Sequence, residues 1–417
     1  MVKETANTAS ALAGLRIVEC GSSAAGAYCA RLLGDAGADV LKVEPLSGDP
    51  ARRRGPFPDD VPDLNWSGLF LYLNYNKRGI TADLHNRRGR DIALRLLAGA
   101  DVLVLADSAP ELDRLRLYYD DLREMNPSII VTVITPYGLT GPYRNYTGDD
   151  LTAINHGGLA YVTPGLPDII GGSDKEPPLR ANTCLSDIEA GIQGAAATLL
   201  AAINRSFTGQ GDQIDLSIHS AIAAMMPFET AQAVYNVPND REPRTFGIQP
   251  NTYIPCKDGY VVLAAWMQAN WRGLKEMMGN PDWAESEVFV DQYERARNWD
   301  ALQPLLLDWT IQHTGEEIIS KARTSGVPAF PAYTVPQMVQ SEHLDAREFW
   351  VHVERPGKGS IKLPGYPVRM SQTPWQFRRP APRLGEHTLE TLEGELGYSR
   401  ADITMISAAG IIQEIEE

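Results

Sequence analysis

Leu15-Arg16-Ile17-Val18-Glu19-Cys20, then residues 25–37, then Val40-Leu41-Lys42-Val43-Glu44 decide the fold of this chain. The first and last stretches are short, apolar and rich in β-branched residues, so each reads as a strand. The stretch between them is long enough for a helix, and Gly37 stands where a glycine closes one. The same alternation then continues. Strand-like 80–84 leads to a helix over 87–100, strand 102–105, a helix over 119–125 and strand 129–135. Strands separated by helices imply right-handed β-α-β units and a parallel sheet covered on both faces. The fold class is therefore α/β with an open parallel sheet.

Farther along, residues 137–178 are rich in Gly and Pro and read as loops over a site. A long helix is expected from Ser186 to about Arg205, because Ile188, Ile192, Ala195, Leu199 and Ile203 recur at three- and four-residue spacing. Gly191, Gly194 and Ala195 leave so little bulk on it that another element or a ligand can approach the backbone. Gly209-Gln210-Gly211 turns the chain into an alternating strand over 213–218, with a helix from about Ser220. Strand-like 260–265 and helices over 271–278 and 316–325 then suggest a smaller second domain. From Met338 onward the chain reads as loop-rich, ending in weak helices.

The chain has 417 residues, enough for two or three domains and a core that needs no disulfide or metal staple. Hydrophobic residues at 43% and charged residues at 22% place it with soluble globular proteins and against disorder. Lys plus Arg at 38 against Asp plus Glu at 53 gives a formal charge of −15, which repels a phosphate backbone, so no nucleic-acid partner is expected. Cys20, Cys29, Cys184 and Cys256 are scattered, fitting neither a disulfide framework nor a zinc site. The longest apolar run, 194–203, is well short of the roughly 20 residues that span a bilayer, and the apolar stretch at 11–15 is shorter than a signal-peptide core. A cytoplasmic protein with no membrane association and no metal is expected.

Three stretches carry candidate chemistry, each with a plainer reading beside it. Gly21-Ser22-Ser23-Ala24-Ala25-Gly26 opens a helix after the first strand, where backbone N–H groups hold anions. Its G-x-x-x-x-G spacing matches neither a dinucleotide fingerprint nor a P-loop, so a tight strand-to-helix turn serves as well. Arg52-Arg53-Arg54 either grips phosphate through its guanidiniums or forms a solvated charge run. Asp187 is either an ordinary first-turn acid, with Ser186 and Glu189 at capping-box spacing, or a carboxylate held ionised by the helix dipole and able to act as a covalent nucleophile. The seven histidines are dispersed, and no H-E-x-x-H or G-x-S-x-G occurs, so metal hydrolysis and Ser–His–Asp chemistry lack a signature.

Read in order, the motifs form a set. The opening runs from Gly14-Leu15-Arg16-Ile17-Val18-Glu19 through Ala30-Arg31-Leu32-Leu33-Gly34-Asp35-Ala36-Gly37 to Glu44-Pro45, with Gly48-Asp49-Pro50 and Arg52 after it. Asn76-Lys77-Arg78-Gly79, Tyr137-Gly138-Leu139-Thr140-Gly141-Pro142, Ser186-Asp187 and Thr208-Gly209-Gln210-Gly211 follow. Ser325-Gly326-Val327-Pro328, Gly365-Tyr366-Pro367 and Leu384-Gly385-Glu386-His387 complete it. Across nearly the whole chain this resembles the family III CoA-transferases, the family of formyl-CoA transferase and carnitine CoA-transferase; the run 67–74 is similar to benzylsuccinate CoA-transferase subunits.

The resemblance implies a large Rossmann-like domain over 1–225, an inserted small α+β domain over 226–335, and a return to the large domain over 336–417. It implies an intertwined dimer, either an interlocked homodimer or a hetero-oligomer with a related subunit. It implies CoA transfer from an acyl-CoA such as succinyl-CoA to an organic acid, through aspartyl anhydride and aspartyl-CoA thioester intermediates, with Asp187 as nucleophile. Coenzyme A enters as substrate, and no tightly bound cofactor is expected. Positions matching family CoA contacts are Ala24, Ala25, Asp83, Leu84, His85, Arg114, Tyr137 and Gly138, with Arg52 as a phosphate partner. Ala24 replaces a glutamine of formyl-CoA transferase, Ala106-Asp107 replaces the family's Asn-Phe, and the glycine-rich acceptor loop of that enzyme has no clear counterpart, Phe246-Gly247-Ile248-Gln249-Pro250 standing nearby. A larger acid than formate or oxalate is therefore expected. Two other readings remain: an α-methylacyl-CoA racemase, whose histidine is here Gly148-Asp149-Asp150, and a mainly structural partner subunit.

Overall fold

A computed structural model describes residues 10–162, 179, 181, 183–235, 249–355 and 359–413. The chain divides into two compact units. One comprises Met1–Leu159, Arg180–Pro227 and Glu348–Glu417, the other Ala160–Leu179 and Phe228–Arg347.

The first unit holds strands β1 (Arg16–Gly21), β2 (Asp39–Glu44), β3 (Lys77–Thr81), β4 (Val102–Ala106), β5 (Ile130–Thr135) and β6 (Asp212–Ser217). They form one six-stranded sheet in the order β3-β2-β1-β4-β5-β6, every neighbouring pair parallel. The order reverses between β1 and β4, and ligands of such sheets bind in the crevice at that reversal, beyond the carboxyl ends of the strands. Between the strands come α1 (Ala24–Asp35), α2 (Gly68–Asn74), α3 (Arg87–Leu97), α4 (Ala109–Leu115), α5 (Tyr119–Leu122), α6 (Asp150–His156), the short α7 (Leu159–Val162), and α8 (Leu185–Thr208), with α9 (Ile218–Ala224) and α10 (Pro227–Val234) after β6; α7 and α10 fall, but for their first residues, in the second unit.

Alternate residues of each strand feed two cores, as the pleat requires. Ile17, Val40, Val104 and Ile134 pack with Ala25 and Cys29 of α1 and Ala190 and Ala195 of α8. Val18, Leu41, Leu103 and Val131 pack on the other face with Ile92 and Leu96 of α3 and with Ile403 and Ile406 of the C-terminal return. Both faces are thus covered, which is why these strands read as nearly continuous apolar runs.

Charge is buried inside the first of these layers. Lys42 Nζ lies 2.6 Å from Glu19 Oε1 and 2.7 Å from Asp49, while Lys77 Nζ lies 2.7 Å from Glu19 Oε2. Here the structure corrects the reading of β3. The strand is Lys77–Thr81, not 80–84, because Lys77 and Arg78 are neutralised by Glu19, Asp39 and Glu395 and so enter the sheet despite their charge. Helix α4 escapes the sequence pattern because Pro110 interrupts it, though proline is tolerated in a first turn. The C-terminal return also holds an unforeseen antiparallel pair, β10 (Trp350–Arg355) and β11 (Gly359–Pro364).

The second unit builds an antiparallel sheet from β7 (Asn251–Cys256), β8 (Gly259–Ala264) and β9 (Ala329–Pro331). Trp271 and Leu274 of α11 (Gln268–Met277), Leu302 and Leu306 of α13 (Trp299–Thr310) and Ile318 of α14 (Gly315–Thr324) cover one face, with α12 (Gln292–Arg297) beside them. The helices α15 (Val335–Val339) and α16 (Glu342–Ala346) also belong to this unit. In the first unit α17 (Thr388–Glu390) and α18 (Arg400–Ala408) close the chain. Among the described residues no helix is long and apolar enough to cross a membrane.

Candidate active site

The site is built where β1 and β4 end. Gly21 has φ +115°, and a Cβ on it would stand 2.1 Å from the Ala106 carbonyl oxygen, so only glycine lets the two strand ends touch. The N–H groups of Ser22 and Ser23 then donate to that carbonyl at 3.0 and 3.2 Å. Ser23 caps α1, its hydroxyl accepting from the Ala25 N–H at 3.2 Å.

Helix α8 packs along α1. A Cβ on Gly191 would meet the Ala25 carbonyl at 2.9 Å, so the element that this small residue admits is α1. The expected capping box at Ser186 and Glu189 does not form. Helix α8 starts earlier, at Leu185, with Cys184 as an N-cap whose side chain makes no capping bond to the helix. Ser186 instead gives both its N–H and its hydroxyl to Asp150 Oδ1, each at 2.9 Å, and Glu189 accepts from Gln193 at 2.8 Å. These contacts place Asp187, on the first turn of α8, opposite the N-terminus of α1. Ser23 Oγ is 3.5 Å from Asp187 Oδ1.

A cavity of ≈ 520 Å³ opens there, lined among others by Ser22, Ser23, Ala24, Arg54, Tyr137 and four aspartates, Asp107, Asp149, Asp150 and Asp187. Three of the four are engaged by close local donors. Asp107 accepts from the Ser22 hydroxyl and the Ser108 N–H, Asp149 caps α6 through the Thr152 N–H at 2.9 Å, and Asp150 holds Ser186. Among the described residues Asp187 has only the long Ser23 contact and the Ala25 N–H. Burial pushes its carboxyl up to about 6, and the Asp150 charge adds to this, against the pull of Arg54, the Ala25 N–H and the Ser23 hydroxyl. The helix dipole alone suggested an easily ionised acid, but desolvation is the larger effect here. At neutral pH the group is still about nine-tenths ionised.

The remaining candidates separate into two groups and one exception. Ala24 and Tyr137 line the cavity, with Ala25 buried behind Ala24 and Gly138 just beyond Tyr137. Asp83, Leu84 and His85 form the turn after β3, where His85 Nε2 lies 2.8 Å from Glu111, which also holds Arg114 at 2.7 Å. The exception is Arg52. It is wholly buried, with Nε and Nη2 each 2.7 Å from Glu44 and further bonds to the Leu64 and Pro382 carbonyls, so no face of it is left for a phosphate.

The guanidinium that reaches the cavity is Arg54. Asp49-Pro50 was the available signal: they start a 3-10 turn over Pro50–Arg53 that turns Arg52 and Arg53 apart, and Arg54 follows it as an extended C-cap that leaves the turn. Of the segment likened to an acceptor loop, residues 246–248 lie outside the described residues, while Gln249 and Pro250 fall in the second unit.

Comparison with known proteins agrees with this architecture. Residues 12–388 match the model of CoA-transferase family III. The chain is 30% identical over 404 residues to the succinyl-CoA–D-citramalate CoA-transferase of Chloroflexus aurantiacus, covering 95% of this chain and 97% of that one. It is likewise 30% identical over 399 residues to subunit BbsE of the succinyl-CoA:(R)-benzylsuccinate CoA-transferase of Thauera aromatica, covering 93% and 95%. A solved CaiB/BaiF family protein from Brucella suis superposes with a TM-score of 0.78 at 28% identity, covering 93% of this chain and 99% of that one. The chain belongs to CoA-transferase family III, and CoA transfer with CoA thioesters as substrates is its general activity.

Proposed function

We propose that this enzyme moves CoA from succinyl-CoA to a larger organic acid, with Asp187 as the covalent nucleophile. The observation that carries the reading is the contrast among the four cavity aspartates: Asp107, Asp149 and Asp150 each hold a donor at 2.9 Å or closer, whereas among the described residues Asp187 has the Ala25 N–H and the Ser23 hydroxyl at 3.5 Å. The donor follows from the shared wording of the relatives' names, both of which specify succinyl-CoA.

The Asp187 carboxylate adds to the thioester carbonyl, the C–S bond breaks, and CoA leaves as thiolate, giving a mixed anhydride. The thiolate then attacks the Asp187 carbonyl and expels succinate, leaving an aspartyl-CoA thioester. The acceptor carboxylate reverses these two steps. Each exchange joins acyl groups of similar reactivity, so one difficult transfer becomes several smaller ones. The N-terminus of α1, facing Asp187, offers backbone N–H groups to the oxyanion of each tetrahedral species. The long CoA molecule is proposed to run past Ala24 and Tyr137 at the cavity, with Asp83, Leu84, His85 and Arg114 as further contacts. No histidine is among the described residues lining the cavity, so proton exchange at an α-carbon has no imidazole partner there.

Incubation with succinyl-CoA, followed by borohydride and mass spectrometry, is expected to show reduction at the Asp187 peptide and at no other cavity aspartate. An unmodified Asp187 in an active preparation removes the assignment.

The working form is proposed to contain two or more chains, identical or related. Ile192, Leu200, Ile203 and Phe207 lie within one face of α8 and are 45%, 68%, 56% and 83% exposed, an apolar stripe suited to a protein partner. Sedimentation of the purified enzyme as an active monomer would rule this out.

A further inference from the structure

The run Arg52-Arg53-Arg54 is divided by its turn into three environments. Arg52 is sealed against Glu44, and Arg53 donates to the Ser47 carbonyl at the surface. Arg54 is exposed to the cavity, and its guanidinium bonds the Cys184 thiol beside Asp187. Among the described residues no carboxylate lies within ion-pair distance of it. It is also the only cationic side chain among the described residues that line the cavity, against four aspartates.

That imbalance poses a problem for any acid entering the site. A carboxylate must approach the Asp187 thioester while other aspartate charges face the same space, and like charges that close repel strongly. We propose that Arg54 binds the reacting carboxylate of the acceptor acid and aims one of its oxygens at the Asp187 carbonyl. This inference rests on the transferase reading above and adds the residue that selects for carboxylates.

A guanidinium suits the task because it stays charged and presents several N–H donors in a plane. One carboxylate oxygen is held by these donors while the other adds to the thioester carbon. The C–S bond then breaks, CoA leaves as thiolate, and the acceptor is joined to Asp187 as an anhydride. Attack of the thiolate on the acceptor carbonyl breaks the remaining C–O bond and returns Asp187 as carboxylate, so no outside proton or redox partner is needed. The succinate expelled in the first half-reaction meets the same guanidinium. Arg54 also lowers the Asp187 carboxyl, as a cation close to the reacting position must.

The test compares wild type, Arg54→Gln and Arg54→Lys, using succinyl-CoA with a monocarboxylic and a dicarboxylic acceptor. Arg54→Gln is expected to raise KM for both acceptors about tenfold or more while changing KM for succinyl-CoA less than about threefold. Arg54→Lys should recover part of the loss, and borohydride should still trap Asp187 in both variants. An unchanged acceptor KM overturns the proposal. So does a loss confined to the dicarboxylate, which would place Arg54 on the distal carboxylate, or a rise in succinyl-CoA KM alone, which would place it on CoA. If Arg54→Gln does not fold, Arg54→Lys decides: an acceptor KM equal to wild type overturns the assignment. Failure of borohydride to trap Asp187 in active wild type would instead sink the transferase reading itself, so the two failures are separable.

Discussion

Glu19 and Asp187 are both carboxylates drawn out of bulk water in the same unit, and their surroundings drive them in opposite directions. Burial pushes Glu19 up, but the Lys42 and Lys77 ammoniums outweigh it and hold the carboxyl at about 2. Burial pushes Asp187 up too, and there the single guanidinium of Arg54, opposed by Asp150, leaves it at about 6. The difference lies in how completely each anion is matched. Glu19 is a permanent charge that ties β1 to β2 and β3. Asp187 is an anion kept poorly satisfied, which is the condition of a nucleophile.

Three experiments press on this contrast. The largest effect on stability is expected from Glu19→Gln. It removes a shared partner from two buried lysines, and breaking a buried pair costs about 3–5 kcal/mol. Chemical denaturation at pH 7 checks it, and a loss below about 1 kcal/mol would show that the lysines are satisfied by Asp49, Asn74 and the Ala27 carbonyl alone.

Asp187→Asn should do the reverse and raise stability by about 1–3 kcal/mol at pH 8, while abolishing transfer. The sign follows from the raised pKa: the folded chain holds this proton more tightly than the unfolded chain. Wild type therefore loses stability as pH rises from about 4 through 6, and the variant does not. Melting curves of both proteins should converge below about pH 4 and separate above about pH 6. Equal separation at all pH values would mean that the carboxyl charge is not the source.

The smallest effect belongs to Asp150→Asn. The amide oxygen can still accept from Ser186, but one charge that raises Asp187 is gone. The acid limb of the pH–rate profile, expected near pH 6 in wild type, should move down by less than about one unit. Movement upward would contradict the electrostatic account.

Strands β1, β2, β4 and β5 and helix α8 were legible from residue spacing, because parallel strands under helices are largely apolar and α8 repeats on one face, whereas β3 was legible only in its last two residues. What spacing could not reveal was charge compensation. Lys77 looks like a loop residue until Glu19 is found beside it, and Arg52 looks available until Glu44 is found against it. Asp187 was legible as a candidate through the family resemblance. The reason it stands out, that Asp107, Asp149 and Asp150 are each engaged nearby, depends on contacts between residues as far apart as Asp150 and Ser186.

The walls of the cavity come from the turns after β1, β4 and β5, whereas Asp187 is delivered by a separate long helix seated on α1. Wall and helix are joined where Asp150 accepts from Ser186 and where Ser23 meets Asp187. Thr147 and Ser108 line the same cavity but take no part in either joint, so they are the positions where its room can change with least effect on the placing of Asp187.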